Sequence, residues 1–318
     1  MIFFPELLPD ELFYSCCARY HNESSNESIL QSLKDLFGVA HTEINCHFPS
    51  RLNNFVTTCN KKNWDISIES IIGLHTIYPF FHPFLDKGQS ENIFKMIEGT
   101  LIYRPHFILG IKNKFWTSVL NYCPDCIKED DLEYGFPYWH RLHQVPGMLY
   151  CPTHCKRLKN SCPSCNLKFE THNILLILPR YCTCGCDLSW DRASQIISLD
   201  EYRAQLQLIS ISKDIAYLFK SYDIVGQRCS FRQLYKEYLS KTTYSSLNGR
   251  LKQRDLTNDF MNFYSKSTLA LLQCDISHIN WIQHLFNKNY NHPLKHVLFI
   301  RFLFGSVIGM IQEVQKVA

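Results

Sequence analysis

The chain has 318 residues, of which 46% are hydrophobic and 19% charged, so it has material for a core and is not a disordered tail. Its formal net charge of +4 is uneven: residues 191–318 hold 16 basic and 10 acidic side chains, against 10 and 12 in residues 1–122. The chain opens without a secretory signal and has no apolar run long enough for a bilayer, so we expect a protein of the reducing cytosol without membrane contact.

Helical periodicity dominates the first part of the chain. In LPDELFYSCCARY apolar residues recur at spacings of three and four, and Pro9 and Asp10 stand where a helix would begin. NESILQSLKDLFG repeats the pattern and stops at Gly38. Further helices are predicted from Pro49 to about Cys59, over DISIESIIGLH and over residues 91–98. Residues 1–121 are therefore predicted to form an N-terminal helical domain.

Residues 122–190 differ from the preceding segment in composition and residue pattern, and they are predicted to form a double zinc-binding module. Prolines, glycines and cysteines interrupt the apolar runs, and strand-like pieces remain only at 147–150 and 174–178. Nine of the 15 cysteines lie here, and in a reducing compartment clustered cysteines are more often metal ligands than disulfides. Four hooks, CPDC, CPTH, CPSC and CTCG, supply eight ligands, enough for two closed tetrahedral zinc sites. The predicted ligands are Cys123, Cys126, Cys151, His154, Cys162, Cys165, Cys182 and Cys184.

The spacing leaves alternatives open within this module. The simplest grouping puts the first two hooks around one ion and the last two around the other, and a cross-braced pairing stays open. Cys186 is an alternative to Cys182 or Cys184, whereas Cys155 is predicted to be a spectator. Binding energy at such sites is folding energy, so we expect the segment to melt when the metal is removed.

The sequence contains no catalytic signature that we can identify. A catalytic zinc keeps an open position, whereas both predicted groups are complete. His41-Thr-Glu43 resembles the H-x-E of zinc deaminases, but neither Cys123 nor Cys162 follows the proline of the deaminase hook. His140 and His143 are predicted as core or surface residues, with a reserve-ligand role for His143 as the alternative. We expect no enzyme; a zinc hydrolase or deaminase is the competing hypothesis.

Residues 191–318 are predicted to form a helical, basic, helix-turn-helix-like DNA-binding region. Between residues 203 and 254 ten basic side chains face three acidic ones. Ser230 is predicted to cap a helix through about Leu239, and RLKQRDLTNDFMNFYS is a second helix, although TTYSSLNG is longer than the usual turn of this motif. The predicted DNA contacts, three of which recur every fourth residue, are Arg228, Arg232, Lys236, Lys241, Arg250, Lys252 and Arg254. An ordinary solvated helix face is the alternative.

Several of these motifs together resemble a known family. YCPDC, WHRLHQVPGMLYCPTHCKRL, SCPSC and YCTCGCDL are similar to the zinc region of the TniQ/TnsD transposition proteins, and LPDELFYSCCARY and LHTIYPFFHPFL agree with the region before it. GRLKQRDLTNDFMNFYS and NHPLKHVLFIRFLF resemble the TnsD branch. The resemblance implies a mainly α, multi-domain helical protein with two central zinc-ribbon or zinc-finger-like modules and two Zn²⁺ ions on the eight ligands named above.

The resemblance also implies a function. It implies a transposon target-site selector that binds double-stranded attachment DNA and recruits an AAA+ ATPase regulator (TnsC-type) through its N-terminal region, reaching other transposase subunits indirectly. The alternative is a TniQ-like adaptor that links the ATPase to an RNA-guided (CRISPR) targeting complex. No small-molecule substrate is expected, and the location implied is the bacterial cytoplasm, on the nucleoid. TnsD proteins usually continue past this length, which leaves a truncation at Ala318 open.

Overall fold

The computed structural model is mainly helical, as the sequence predicts. It describes residues 3–39, 45–101, 109, 118–171, 174–191, 198–228, 231–246, 248–273, 282, 285–286 and 293–317. Within these ranges there are thirteen α-helices, and the only β pairing is a set of isolated bridges. The described chain divides into two compact units, one of residues 1–79 and 86–193, the other of residues 80–85 and 194–318. The division into three domains at residues 121 and 190 stays a prediction.

The first unit opens with short helices, and local capping sets the ends of α2 and α6. Ser28 accepts a hydrogen bond from the N–H of Gln31 at the start of α2, and Gly38 ends it in the left-handed conformation. Asp86 and Gln89 form a reciprocal capping box, so α6 begins four residues earlier than the periodicity predicts. The helices are α1 (Phe13–Glu23), α2 (Ile29–Phe37), α3 (Leu52–Asn60), α4 (Ile68–His75), α5 (Tyr78–Phe81) and α6 (Lys87–Glu98). A 3₁₀ turn (His82–Phe84) follows α5 in the chain and lies within residues 80–85, which belong to the second unit.

The start of α1 differs from the prediction. Asp10 has a φ of 56°, a left-handed conformation outside the range of a right-handed helix, and α1 starts at Phe13 instead. The carboxylate of Asp10 accepts a hydrogen bond from Nε of Arg141 at 3.0 Å, and the Arg141 N–H donates to the Asp10 carbonyl at 2.8 Å. A contact 131 residues distant in sequence therefore fixes this end.

The cysteine-rich segment contains one helix that its pattern does not suggest. Helix α7 (Pro124–Tyr134) begins with proline in its first turn and ends at Gly135 in the left-handed conformation. A 3₁₀ turn (Leu142–Gln144) follows. The strands predicted at 147–150 and 174–178 are wrong: among the described residues of those two pieces, only Tyr150 pairs, in a single bridge with Arg157.

One core joins the N-terminal helices to the cysteine-rich segment. Leu12 and Tyr14 from the beginning of the chain pack with Trp139, Phe169 and Leu178. The backbone N–H of Leu12 donates to the carbonyl of Trp139 at 2.8 Å, and the Trp139 indole N–H donates to the carbonyl of Leu176 at 2.8 Å. Cys162 and Cys182 belong to the same buried cluster, so this core extends to the metal-binding hooks.

The second unit is a helical bundle built on a long helix that is kinked at Ser221, where φ is −121° and ψ is 17°. Its helices are α8 (Leu199–Arg228), α9 (Phe231–Ser240), α10 (Gln253–Phe263), α11 (Lys266–Leu271), α12 (Pro293–Phe304) and α13 (Val307–Val317). Asp214 of α8 accepts hydrogen bonds from Arg301 at 2.7 Å and from the N–H of Val307 at 3.1 Å. The same carboxylate thus ties α8 to the end of α12 and caps the start of α13.

No helix within the described ranges is by itself long and apolar enough to cross a membrane. Pro293–Phe304 and Val307–Gln315 reach that length and composition only as a pair, and the pair is bent by 65°.

Candidate functional site

The structure gathers the first two hooks into one group. The ligand atoms of Cys123, Cys126, Cys151 and His154 all lie within 4.8 Å of one another. Nδ1 of His154 is 3.5 Å from Sγ of Cys123, 3.3 Å from that of Cys126 and 3.5 Å from that of Cys151. The two sulphurs of Cys126 and Cys151 are 3.7 Å apart. The three cysteines are buried.

These spacings fit a tetrahedral zinc ion. With Zn–S bonds of about 2.3 Å and Zn–N bonds of about 2.0–2.1 Å, tetrahedral geometry separates two sulphurs by roughly 3.8 Å and a sulphur from a nitrogen by roughly 3.5 Å. The contacts in the first group match both values. Its three thiols and one imidazole are also the donor types that zinc prefers.

The last two hooks form a second group of four sulphurs. Sγ of Cys162 lies 3.6 Å from that of Cys184, and Sγ of Cys165 lies 3.6 Å from that of Cys182. All four lie within 4.8 Å of one another, in the same tetrahedral range. Cys165 and Cys184 are exposed, whereas Cys162 and Cys182 are buried. The grouping is the sequential one, first with second hook and third with fourth.

Three of the hooks share one backbone turn. The residue after the last ligand is left-handed in each, with φ of 54° at Cys155, 60° at Asn166 and 83° at Gly185. Its N–H donates to the carbonyl of the first ligand at 2.9, 2.9 and 2.8 Å respectively. Only a left-handed residue lets the chain reverse this tightly, which suits asparagine and glycine. The same turn makes Cys155 a spectator, because its backbone leaves the group immediately after His154.

Hydrogen bonds to sulphur prepare two of the hooks for ionised thiols. The N–H of Ser164 donates to Sγ of Cys162 at 3.4 Å, and the N–H of His154 donates to Sγ of Cys151 at 3.5 Å. Burial opposes ionisation of Cys162, but donation from the N–H groups of Cys165 and Ser164 outweighs it and lowers the pKa of Cys162 to about 6. Thiolates are the form that binds metal.

The first hook is built differently. Cys123 is the N-cap of α7 and Cys126 lies in its first turn, so both sulphurs sit at the positive end of the helix dipole. Contact with Cys123 raises the pKa of Cys126, and contact with Cys123 lowers the pKa of Cys151. Three thiols this close cannot share negative charge evenly without a cation. A divalent ion at their centre would allow all three to ionise.

A carboxylate lies behind the imidazole of the first group. Oε1 of Glu129 is 2.9 Å from Nε2 of His154, while Nδ1 of the same ring faces the sulphurs. A carboxylate in this position typically orients a metal-bound histidine. Sequence reasoning missed Glu129, because the pattern does not suggest the helix that places it three residues after Cys126 and beside His154.

The other residues considered from the sequence lie beside the groups or away from them. Nε2 of His140 contacts Oδ2 of Asp130 at 3.0 Å, and its Nδ1 lies 3.6 Å from Oδ2 of Asp10. The carbonyl of Cys186 accepts from the N–H of Cys182 at 2.8 Å, and its thiol donates to the carbonyl of Asp187 at 3.7 Å. His41 and Glu43 lie outside the described residues.

One buried cysteine–histidine pair escaped the sequence reasoning. Sγ of Cys46 is 3.3 Å from Nδ1 of His47. Burial raises the pKa of Cys46 to about 12 and lowers the pKa of His47 to about 4. An activated nucleophile needs the opposite shifts, with a thiolate beside an imidazolium. This pair is therefore arranged as core rather than as a catalytic dyad.

The predicted basic residues cluster on α9, α10 and the loop between them. The loop closes through a bridge between Ser245 and Leu251 and a turn at Gly249, whose φ is 71°. The long connector is therefore a small folded hairpin. Lys236, Lys241, Arg250, Lys252 and Arg254 are exposed, and Arg232 is half-buried. Arg228 ends α8, whereas Arg232 and Lys236 lie on α9, and the side chain of Arg228 lies outside the described residues.

Comparison with known proteins matches both halves of the chain. Residues 2–158 match the family model TniQ, and residues 211–317 match the model described as Tn7-like transposition protein D, TnsD. The chain is 27% identical over 158 residues to the transposon Tn7 transposition protein TnsD of Escherichia coli. That alignment covers 48% of this chain and 30% of the longer relative. On these matches, the chain belongs to the TniQ/TnsD family of transposition proteins.

Proposed function

We propose that this protein selects the insertion site of a transposon. It binds a specific double-stranded attachment sequence on the bacterial nucleoid and recruits an AAA+ ATPase regulator of the TnsC type, which brings the other transposase subunits to that site. The match of residues 2–158 to TniQ and of residues 211–317 to TnsD supports a targeting role. In this proposal the protein positions other components and carries out no chemistry of its own.

The basic surface of α9, its loop and α10 is the observation that carries the DNA-binding part. Five exposed lysine and arginine side chains lie within about twenty residues inside the TnsD-matched segment. Two nearby acidic side chains have polar partners of their own: Glu237 accepts from Gln233 at 2.8 Å, and Asp259 accepts from Tyr244 at 2.8 Å. None of the five cations forms an ion pair with another residue that the structure describes, so they are available for phosphates, which supply much of the affinity of DNA-binding proteins.

The two Cys/His groups would each hold one Zn²⁺ in this proposal. The first would use Cys123, Cys126, Cys151 and His154, and the second the four sulphurs of the last two hooks. Four protein ligands leave no open coordination position, which is the arrangement of structural rather than catalytic zinc. The ions would stabilise loops that have little apolar core of their own.

An adaptor function is the second candidate. The match of residues 2–158 to TniQ favours it, because the resemblance to TniQ implies a protein that links the ATPase regulator to an RNA-guided complex. An adaptor of this kind needs protein contacts and no sequence-specific DNA contact.

Footprinting distinguishes the two candidates. The purified chain is incubated with genomic attachment DNA and with a scrambled duplex of equal length, with and without the ATPase. A selector protects one segment of the attachment DNA by itself and extends the protection when the ATPase is added. An adaptor leaves both duplexes unprotected while still binding the ATPase, and that result would overturn the DNA-binding proposal.

A further inference from the structure

His143 lies next to the first Cys/His group without being one of its four members. Its side chain is buried, and Nε2 is 3.8 Å from Sγ of Cys126. We propose that His143 donates its Nε2–H to the metal-bound thiolate of Cys126 and stabilises it from outside the coordination sphere. This inference rests on the proposed zinc site and assigns the residue a positioning role.

The interatomic distances show that His143 is not one of the four ligands of the first group. His154 Nδ1 is within 3.5 Å of the three sulphurs, as a tetrahedral ligand must be, and completes the set of four. The nitrogen of His143 is not among these four ligand atoms and lies 3.8 Å from Sγ of Cys126, a distance suited to an N–H donor on a large sulphur atom. A ring nitrogen facing a thiolate in this way must carry the proton.

The position of His143 is fixed by the chain that leads to the first hook. Nδ2 of Asn121 donates to the carbonyl of His143 at 3.2 Å. The side chain of Gln144 accepts from the N–H of Asn121 at 2.8 Å and donates to the carbonyl of Asn121 at 2.9 Å. The 3₁₀ turn that carries His143 is therefore bound on both sides to a residue two positions before Cys123.

The charge of the proposed zinc site explains why a hydrogen-bond donor beside Cys126 would be stabilising. A zinc ion with three thiolates and one neutral imidazole carries a net charge of −1, and in the first group the three cysteines are buried. An N–H aimed at one sulphur offsets part of that charge in a region of low dielectric, where charge-assisted hydrogen bonds are strong. Loss of an outer partner of this kind typically reduces metal affinity about 10- to 100-fold.

Cadmium NMR and metal release test the proposal on the full-length protein. Cadmium replaces zinc, and the Cys₃His and Cys₄ groups give separate resonances because sulphur and nitrogen donors shift the metal differently. His143→Leu removes the donor at similar volume, whereas His143→Gln keeps an N–H. We expect His143→Leu to shift the Cys₃His resonance and to speed release of that ion to a chelator about tenfold or more. His143→Gln should stay close to the unaltered protein, and the Cys₄ resonance should stay unchanged in both.

Several results would overturn the proposal. Equal effects of leucine and glutamine would indicate packing rather than donation, and no effect of either would remove His143 from the site. A Cys₃His resonance that loses its nitrogen donor in His143→Leu would make His143 a ligand. If the leucine variant does not fold, long-range proton–nitrogen correlation on the unaltered protein decides: an Nδ1–H tautomer contradicts the proposal. Absence of both cadmium resonances in the unaltered protein would instead contradict the metal sites themselves.

Discussion

At the scale of single residues, Asp214 illustrates how one buried carboxylate can hold several elements. It bonds to Arg301 and to the N–H of Val307, and its own residue is 4% exposed. We expect Asp214→Ala to lower the free energy of unfolding of the second unit by about 3 kcal/mol, because it leaves the largely buried Arg301 unpaired and α13 uncapped. Asp214→Asn keeps an acceptor and should cost less. Urea unfolding of the two variants checks the order, and equal losses would show that the cap adds nothing.

His140 gives the molecule a pH dependence. Burial disfavours its charged form, but the nearby carboxylate of Asp10 and the hydrogen bond to Asp130 outweigh burial and raise the pKa of His140 to about 10. Unfolded histidine has a pKa near 6.5, so this contribution to stability is complete below about pH 6.5 and is lost as the pH rises towards about 10. The slope is up to about 1.4 kcal/mol per pH unit for one proton.

We therefore expect the unfolding free energy of the metal-loaded protein to fall across that range, and to fall less in His140→Gln. Denaturant unfolding at several pH values measures both slopes. Arg141 and His143 also lie at this cluster, so the comparison with the glutamine variant is needed to isolate His140. Parallel slopes in the two proteins would show that His140 is neutral when folded.

Lys236 and Arg250 test the DNA surface residue by residue. Both are exposed, one on α9 and one on the loop. We expect each alanine substitution to weaken binding to attachment DNA and to reduce the slope of log affinity against log salt by about one for each phosphate that is no longer neutralised. Lys213→Ala is the matched control, because Lys213 is an exposed cation of α8 outside this surface. Fluorescence anisotropy at several salt concentrations measures the slopes, and a slope equal to that of the control would place the residue outside the interface.

At the scale of elements, the metal hooks are the part that spacing could predict. The eight residues named from the sequence are the eight that the structure brings together. They could be predicted because the two ligands of each hook lie on one turn of the backbone, so their spacing in the sequence is sufficient to recognise them. Helix α7 could not be predicted in the same way. Its capping signals lie at Pro124 and Gly135, but the residues between them lack a continuous apolar stripe.

Metal content tests the hooks as elements. We expect Cys123→Ser and Cys162→Ser each to reduce bound zinc from two ions per chain to one, because each removes a ligand from a different group of four. Cys155→Ser should retain both ions. Elemental analysis of the purified variants measures the ratio. Cross-braced hooks would place Cys123 and Cys162 on the same ion, so a double variant with both substitutions that still retains one ion would contradict the sequential grouping.

At the scale of the whole molecule, the long-range contacts were beyond sequence reasoning. Apolar periodicity showed that α1 is amphipathic but not that Leu12 and Tyr14 pack against Trp139 and Phe169. The hydrogen bond between Asp10 and Arg141 could not be predicted either, because polar residues far apart in sequence carry no periodic signal. Helix type depends on local patterns, whereas partners depend on the tertiary arrangement.

This shared core predicts a distant effect of metal removal. We expect chelation to increase amide hydrogen exchange in α1 as well as in residues 122–190, because the core beneath α1 includes Cys162 and Cys182. Helices α8 and α12 provide the internal control, since they belong to the second compact unit and have buried faces of their own. Exchange in α1 that does not change on chelation would show that the N-terminal helices are stable independently of the metal.

The cysteines of the two Cys/His groups differ in burial, and this difference determines which group is reached first by solutes. Two ligands of the second group, Cys165 and Cys184, are open to solvent, whereas the three cysteines of the first group are enclosed. In the proposed two-zinc protein, oxidants and competing chelators would therefore reach the second group first, and we expect that group to exchange its ion faster. Oxidation would then give a half-loaded form that has lost the ion held by Cys162 and Cys182 and keeps the one near α7.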